Sequence, residues 1–108
     1  MVATSAWRRL TDWAPDAVGC GAVFRFPSRW PYECAVDYLL AQYEGQRLAL
    51  IVASGLKAGA VSLVLPDEAH AGAHAVSRRW LIANWEHWIY PECAARDVFM
   101  RETVSAPA

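Results

Sequence analysis

The sequence predicts an α+β domain: a mainly antiparallel sheet of about five to six strands, with one main helix near the C-terminus packed on it. Three observations carry that prediction. Apolar residues alternate at period two through YECAVDYLLAQY, turn residues punctuate the chain between residues 44 and 66, and the period becomes helical after Ser77. The 108 residues make one domain, residues 1–108, and 56% hydrophobic against 19% charged residues argues against disorder.

Taken in order, the N-terminal AWRRLTDW reads as a short strand. AVFRF, residues 22 to 26, is a strand ended by PSRWP, because Pro27 and Pro31 have no N–H for a ladder. In the next strand Cys34, Val36, Tyr38 and Leu40 fall on one face and Glu33, Ala35 and Asp37 on the other. EGQ at 44 to 46 is a turn. RLALIVAS is apolar on both faces, which predicts a central strand covered on two sides. The turn SGLKAG follows, and then the strand AVSLVLP closed by Pro66, completing an antiparallel meander. DEAHAGAH is small and polar, a loop or a single helical turn. A last strand, RDVFMRE, sets Val98 and Met100 against Asp97, Phe99 and Arg101.

The helix begins at Ser77, an N-cap residue, and Pro91 stops it. At about 100° per residue, Leu81, Ile82, Trp85, Trp88 and Ile89 crowd one stripe, with Arg79, Glu86 and His87 opposite. Trp85 and Trp88 are therefore expected in the core. Trp80 lies outside the stripe: it is either buried by the loop at 67 to 76 or the candidate anchor for another protein, since Trp is enriched at the energetic centres of interfaces. A membrane-surface helix needs a Lys/Arg-rich polar face, which this one lacks.

Composition excludes several function classes. A net charge of −1 gives no electrostatic footprint for nucleic acid. The opening MVATSAWRRLTDWAPD has no apolar core of the kind a signal peptide carries, so the expected location is cytoplasmic. Three cysteines without C-x-x-C spacing read as reduced thiols acting as small core residues. His70 and His74 are four apart beside Asp67 and Glu68, but Gly72 weakens any helix that would align them on a metal. Cys93 and His87 are the nearest Cys/His pair and lack an acidic orienter. No catalytic constellation, metal set or cofactor motif is expected. The carboxylates are more suggestive: Asp37 and Glu44 on one strand and its end, Asp67 and Glu68 at the helix approach, and Glu86 on the helix. With Trp80, these are the candidate contacts to a basic protein partner, where charge complementarity supplies association rate and selectivity.

SGLKAG, then VLPDEA, then WLIANWEHWIYPE followed by DVFM resembles immunity protein family 45 of bacterial polymorphic toxin systems. The resemblance runs from about Arg25 to Arg101, and its most specific piece is W-L-x-x-N-W-x-x-W. It implies a small cytoplasmic protein encoded beside a toxin. Such a protein binds the toxin's C-terminal domain and protects the producing cell, as in contact-dependent growth inhibition, where the toxins are often nucleases. It brings no catalytic residues to carry over. The competing expectation is a small sheet-based single-strand nucleic-acid binder, whose affinity would collapse steeply with ionic strength.

Overall fold

The computed structural model describes residues 7–12, 15–28 and 35–102. The strands are β1 (Arg8–Arg9), β2 (Ala17–Gly19), β3 (Val23–Pro27), β4 (Ala35–Gln42), β5 (Leu48–Val52), β6 (Val61–Val64), β7 (Ala75–Ser77) and β8 (Phe99–Arg101); the helix α1 spans Arg78–Asn84. Six strands form one antiparallel sheet in the order β1-β8-β3-β4-β5-β6, and β2 pairs with β7 in a second, two-stranded sheet. The fold is α+β as predicted.

The meander β3 to β6 forms where the sequence is punctuated. Tyr43 donates to the Arg47 carbonyl at 2.8 Å to close the β4–β5 hairpin. The longer β5–β6 turn uses Gly55 and Gly59 at φ +75° and +97°, where a side chain would clash with its own backbone. Within β4, Tyr38 and Leu40 are buried and Val36 half-buried on one face, matching the predicted alternation; Glu33 and Cys34 lie outside the described residues. Leu48, Ala49 and Leu50 of β5 are all fully buried, whereas Ile51 and Val52 are half-buried. Double coverage of that strand is thus confined to its first half.

One side of the sheet carries the core. Phe24, Phe26, Leu40, Leu50 and Met100 meet Val18 of β2, Val76 of β7, and Leu81 and Trp85 from the helical segment. Phe26 sits at the hub of an aromatic cluster, with ring centroids 5.4 Å from Trp85, 4.9 Å from Tyr38 and 4.6 Å from Tyr90. Val23 and Ala49 are buried but point to the opposite side and lie outside this cluster.

Three expectations need correction. The N-terminal stretch is a strand only at Arg8–Arg9; Leu10–Asp12 winds into a 3₁₀ turn that buries Leu10, and Trp13 lies outside the described residues. Cys93 is buried, but Cys20 is exposed, so not every cysteine is a core residue. The third correction concerns Trp88, which is 57% exposed. The helix does not continue as α: Asn84 leaves helical geometry (φ −117°, ψ 1°), and Trp85–Ile89 forms a π-helical turn closed by Tyr90 N–H donating to the Trp85 carbonyl at 2.8 Å. A turn with i→i+5 bonds advances less per residue than an α-helix, so three steps rotate Trp88 by roughly 50° away from the stripe. The same rotation centres Ile89, which is buried.

Candidate functional site

The surroundings of Cys93 do not prepare its thiol as a nucleophile. Burial pushes the Cys93 thiol up to about 11, and the nearby charges of Asp97 and Glu86 act in the same direction. Its Sγ donates to the Ala94 carbonyl at 3.3 Å, and His87 is exposed on the helical segment. A thiol held neutral in this way is a poor nucleophile. Among the described residues, no three His, Cys, Asp or Glu side chains lie close enough to share a metal ion. No described helix is long and apolar enough to cross a membrane.

The helix start is fixed by two caps. Ser77 Oγ accepts from Trp80 N–H at 3.2 Å, as the sequence predicts. The second was not foreseen: Asp16 accepts from Arg79 N–H at 3.0 Å and from Ser77 Oγ at 3.0 Å. The Arg79 backbone bond holds the Asp16 carboxyl below its ordinary value. These bonds anchor α1, and hence Trp80, to the β2–β7 pair.

Trp80 is half-buried and packs against the core, and its ring meets that of Trp88 at a centroid distance of 6.5 Å and 63°. Asn84 Nδ2 donates to the Trp80 carbonyl at 2.8 Å just where α gives way to π. W-L-x-x-N-W-x-x-W is thus a compact device. Trp85 is the core anchor, Asn84 marks the transition, and Trp80 and Trp88 are left as an edge-to-face pair reaching the surface.

The predicted acidic contacts separate into groups. Glu44 lies in the β4–β5 hairpin, and Asp67 and Glu68 form a 3₁₀ turn directly after β6. Both leave the sheet at the same end, because Leu65 N–H donates to the Leu48 carbonyl at 2.8 Å. All three acids are exposed, and the buried Ala69 seats the Asp67–Ala69 turn in the core. Glu86 is exposed on the π-helical turn. Asp37 stands apart, at the other end of β4, where its backbone N–H donates to Ser54 Oγ at 3.0 Å. Its carboxylate takes a two-pronged bond from Arg25 at 2.8 and 2.9 Å, so its charge is matched within the chain.

A groove of about 650 Å³ opens at that same end, and no sequence motif marks it. Val36, Tyr38, Val52, Val61 and Tyr90 are among the residues that line it. Ser62 Oγ donates to Tyr38 Oη at 3.0 Å, and Ser28 Oγ and Tyr90 Oη lie 3.0 Å apart, so these four hydroxyls are paired with one another. Leu56, at the rim, is fully exposed.

The family model for immunity protein 45 matches residues 10–100. The chain belongs to the immunity protein 45 family. No curated protein and no solved structure matches it. Family membership supports an immunity function and implies a toxin partner in general terms. For this immunity protein, the resemblance identified from the W-L-x-x-N-W-x-x-W stretch is confirmed over most of the chain.

Proposed function

We propose that this immunity protein binds the C-terminal toxin domain of a cognate contact-dependent or polymorphic-toxin effector in the cytoplasm and blocks it sterically. The toxin activity we favour is nuclease. The observation that carries the reading is the family match across residues 10–100. Two features of the surface support a binding role. Glu44, Asp67 and Glu68 gather at one end of the sheet, suited to toxin Lys and Arg. Trp80, Trp88 and Glu86 add an aromatic and acidic ridge on the neighbouring helical segment, where indole rings supply large contact area. Asp37, already paired with Arg25, contributes less than the other acids. An interface of about 1,200–2,000 Å² is enough for tight inhibition when such anchors are buried.

The direct test is growth rescue. The toxin domain encoded beside this protein is induced in cells with and without the immunity protein. Rescue supports the proposal. Continued killing at matched expression rejects it.

A further inference from the structure

We propose that the sheet face turned away from the helix is a second docking surface, and that it receives a carboxylate-bearing patch of the toxin domain. The inference rests on the toxin-binding reading above and extends it to a surface of opposite charge. Residues paired directly across antiparallel strands share a face, which fixes the pattern on this side. One row runs Arg9, Phe99, Arg25, Asp37; the next runs Arg101, Val23, Leu39, Ile51. Three arginines stand against one aspartate here, in a chain whose net charge is −1. The acids at the sheet end and on the helical segment therefore leave behind a cationic face.

These guanidinium groups are held in place. The Arg25 and Arg101 guanidinium carbons lie 4.6 and 5.0 Å from the centre of the Trp7 ring, and that of Arg9 lies 5.3 Å from the centre of Phe99. Asp37 fixes Arg25 further. A guanidinium stacked on a ring loses little further freedom on binding; Arg25 has given Nε and Nη2 to Asp37, and Arg9 gives Nη1 to the Arg96 carbonyl at 2.9 Å, so a partner carboxylate meets the remaining N–H groups of Arg9 and Arg101. Arg9 and Arg25 flank β8 at roughly 10 Å, twice the strand spacing. Arg25 and Arg101 are diagonal neighbours at roughly 7–8 Å. A carboxylate fits the N–H groups left on Arg9 and Arg101, and the half-buried Leu39 and Ile51 of the adjoining row offer apolar contact beside them.

A nucleic acid fits less well. A stacked base needs open ring surface, and both aromatic rings on this face already carry guanidinium groups. With Arg25 matched by Asp37, two arginines remain to follow phosphates, too few for a strong backbone footprint.

The experiment measures affinity of the purified immunity protein for the neighbouring toxin domain across ionic strength, for the wild type and an Arg9→Gln/Arg101→Gln double variant. Melting temperatures are read in parallel. The double variant is expected to bind about 30-fold more weakly, with a shallower salt dependence. If it melts early, Arg9→Gln alone is used, with about a 5-fold loss expected. Unchanged affinity in a folded variant overturns this surface while leaving the toxin-binding function intact. Failure of the wild type to bind the toxin domain overturns that function and this inference together. A labelled 20-nucleotide oligo-dT is the last arm. Binding by the wild type that is lost in the variant assigns the face to nucleic acid and overturns the proposal.

Discussion

Replacing Trp85 and Trp88 separately with alanine tests the π-helical turn, because the two tryptophans are three residues apart and differ sharply in burial. Trp85 is fully buried, with ring centroids 5.9 Å from Phe24 and 5.4 Å from Phe26. Burying a Trp removes about 150–250 Å² from water, worth about 4–6 kcal/mol as an upper bound. One feature offsets this: the indole Nε1 is buried with no hydrogen-bond partner among the described residues. An orphaned donor costs about 1–3 kcal/mol, and Trp85→Ala removes that cost with the ring. Midway values of about 5 and about 2 kcal/mol give an expected loss of about 3 kcal/mol, at the low end of the usual range for a core aromatic deletion. Trp88 is 57% exposed and loses mainly its contact with Trp80, so Trp88→Ala should cost about 1 kcal/mol or less. Urea unfolding monitored by far-UV circular dichroism gives both values. Equal losses, or a larger loss at Trp88, would refute the rotation that the π turn imposes.

Ser77→Ala should lower stability by about 1 kcal/mol, since it removes the acceptor for Trp80 N–H; an unchanged urea midpoint would show that Asp16 caps the helix unaided. For Asp16 the folded carboxyl titrates below 3.8, so its contribution is complete above that value and is lost as pH falls through the folded pKa. The deficit of Asp16→Asn relative to wild type should thus be present at pH 7 and vanish in strong acid; a deficit that persists there would contradict the ionised cap. In a Cys34→Ser background, Cys20 should be alkylated at pH 8 well before Cys93. The rise of the Cys93 thiol from 9.0 to about 11 lowers its thiolate fraction about 100-fold, and comparable rates would place Cys93 at the surface.

Much of the fold was legible because local chemistry and global packing agree. The EGQ and SGLKAG turns, Pro66 and the alternation of Val36, Tyr38 and Leu40 fix the meander before any long-range contact is considered. Ser77 likewise announced the helix. What stayed hidden was non-local. The Ala17–Gly19 and Ala75–Ser77 strands are too short to show a period, and nothing in RDVFMRE says that β8 inserts between β1 and β3. Trp88 was misplaced because a constant 100° step cannot register a π turn, although Asn84 is its sequence mark. The acids were found as residues but not as groups: strand register gathers Glu44 with Asp67 and Glu68, and pairs Asp37 with Arg25. The groove and the arginine-lined face arise only from pairing across strands, so no single segment encodes them.

The proposed binding of one toxin domain is measured by isothermal titration of the purified immunity protein with the domain encoded beside it. Saturable 1:1 binding in the nanomolar range or tighter is expected. Absence of heat and of any complex at micromolar concentrations, with both proteins folded, would contradict it.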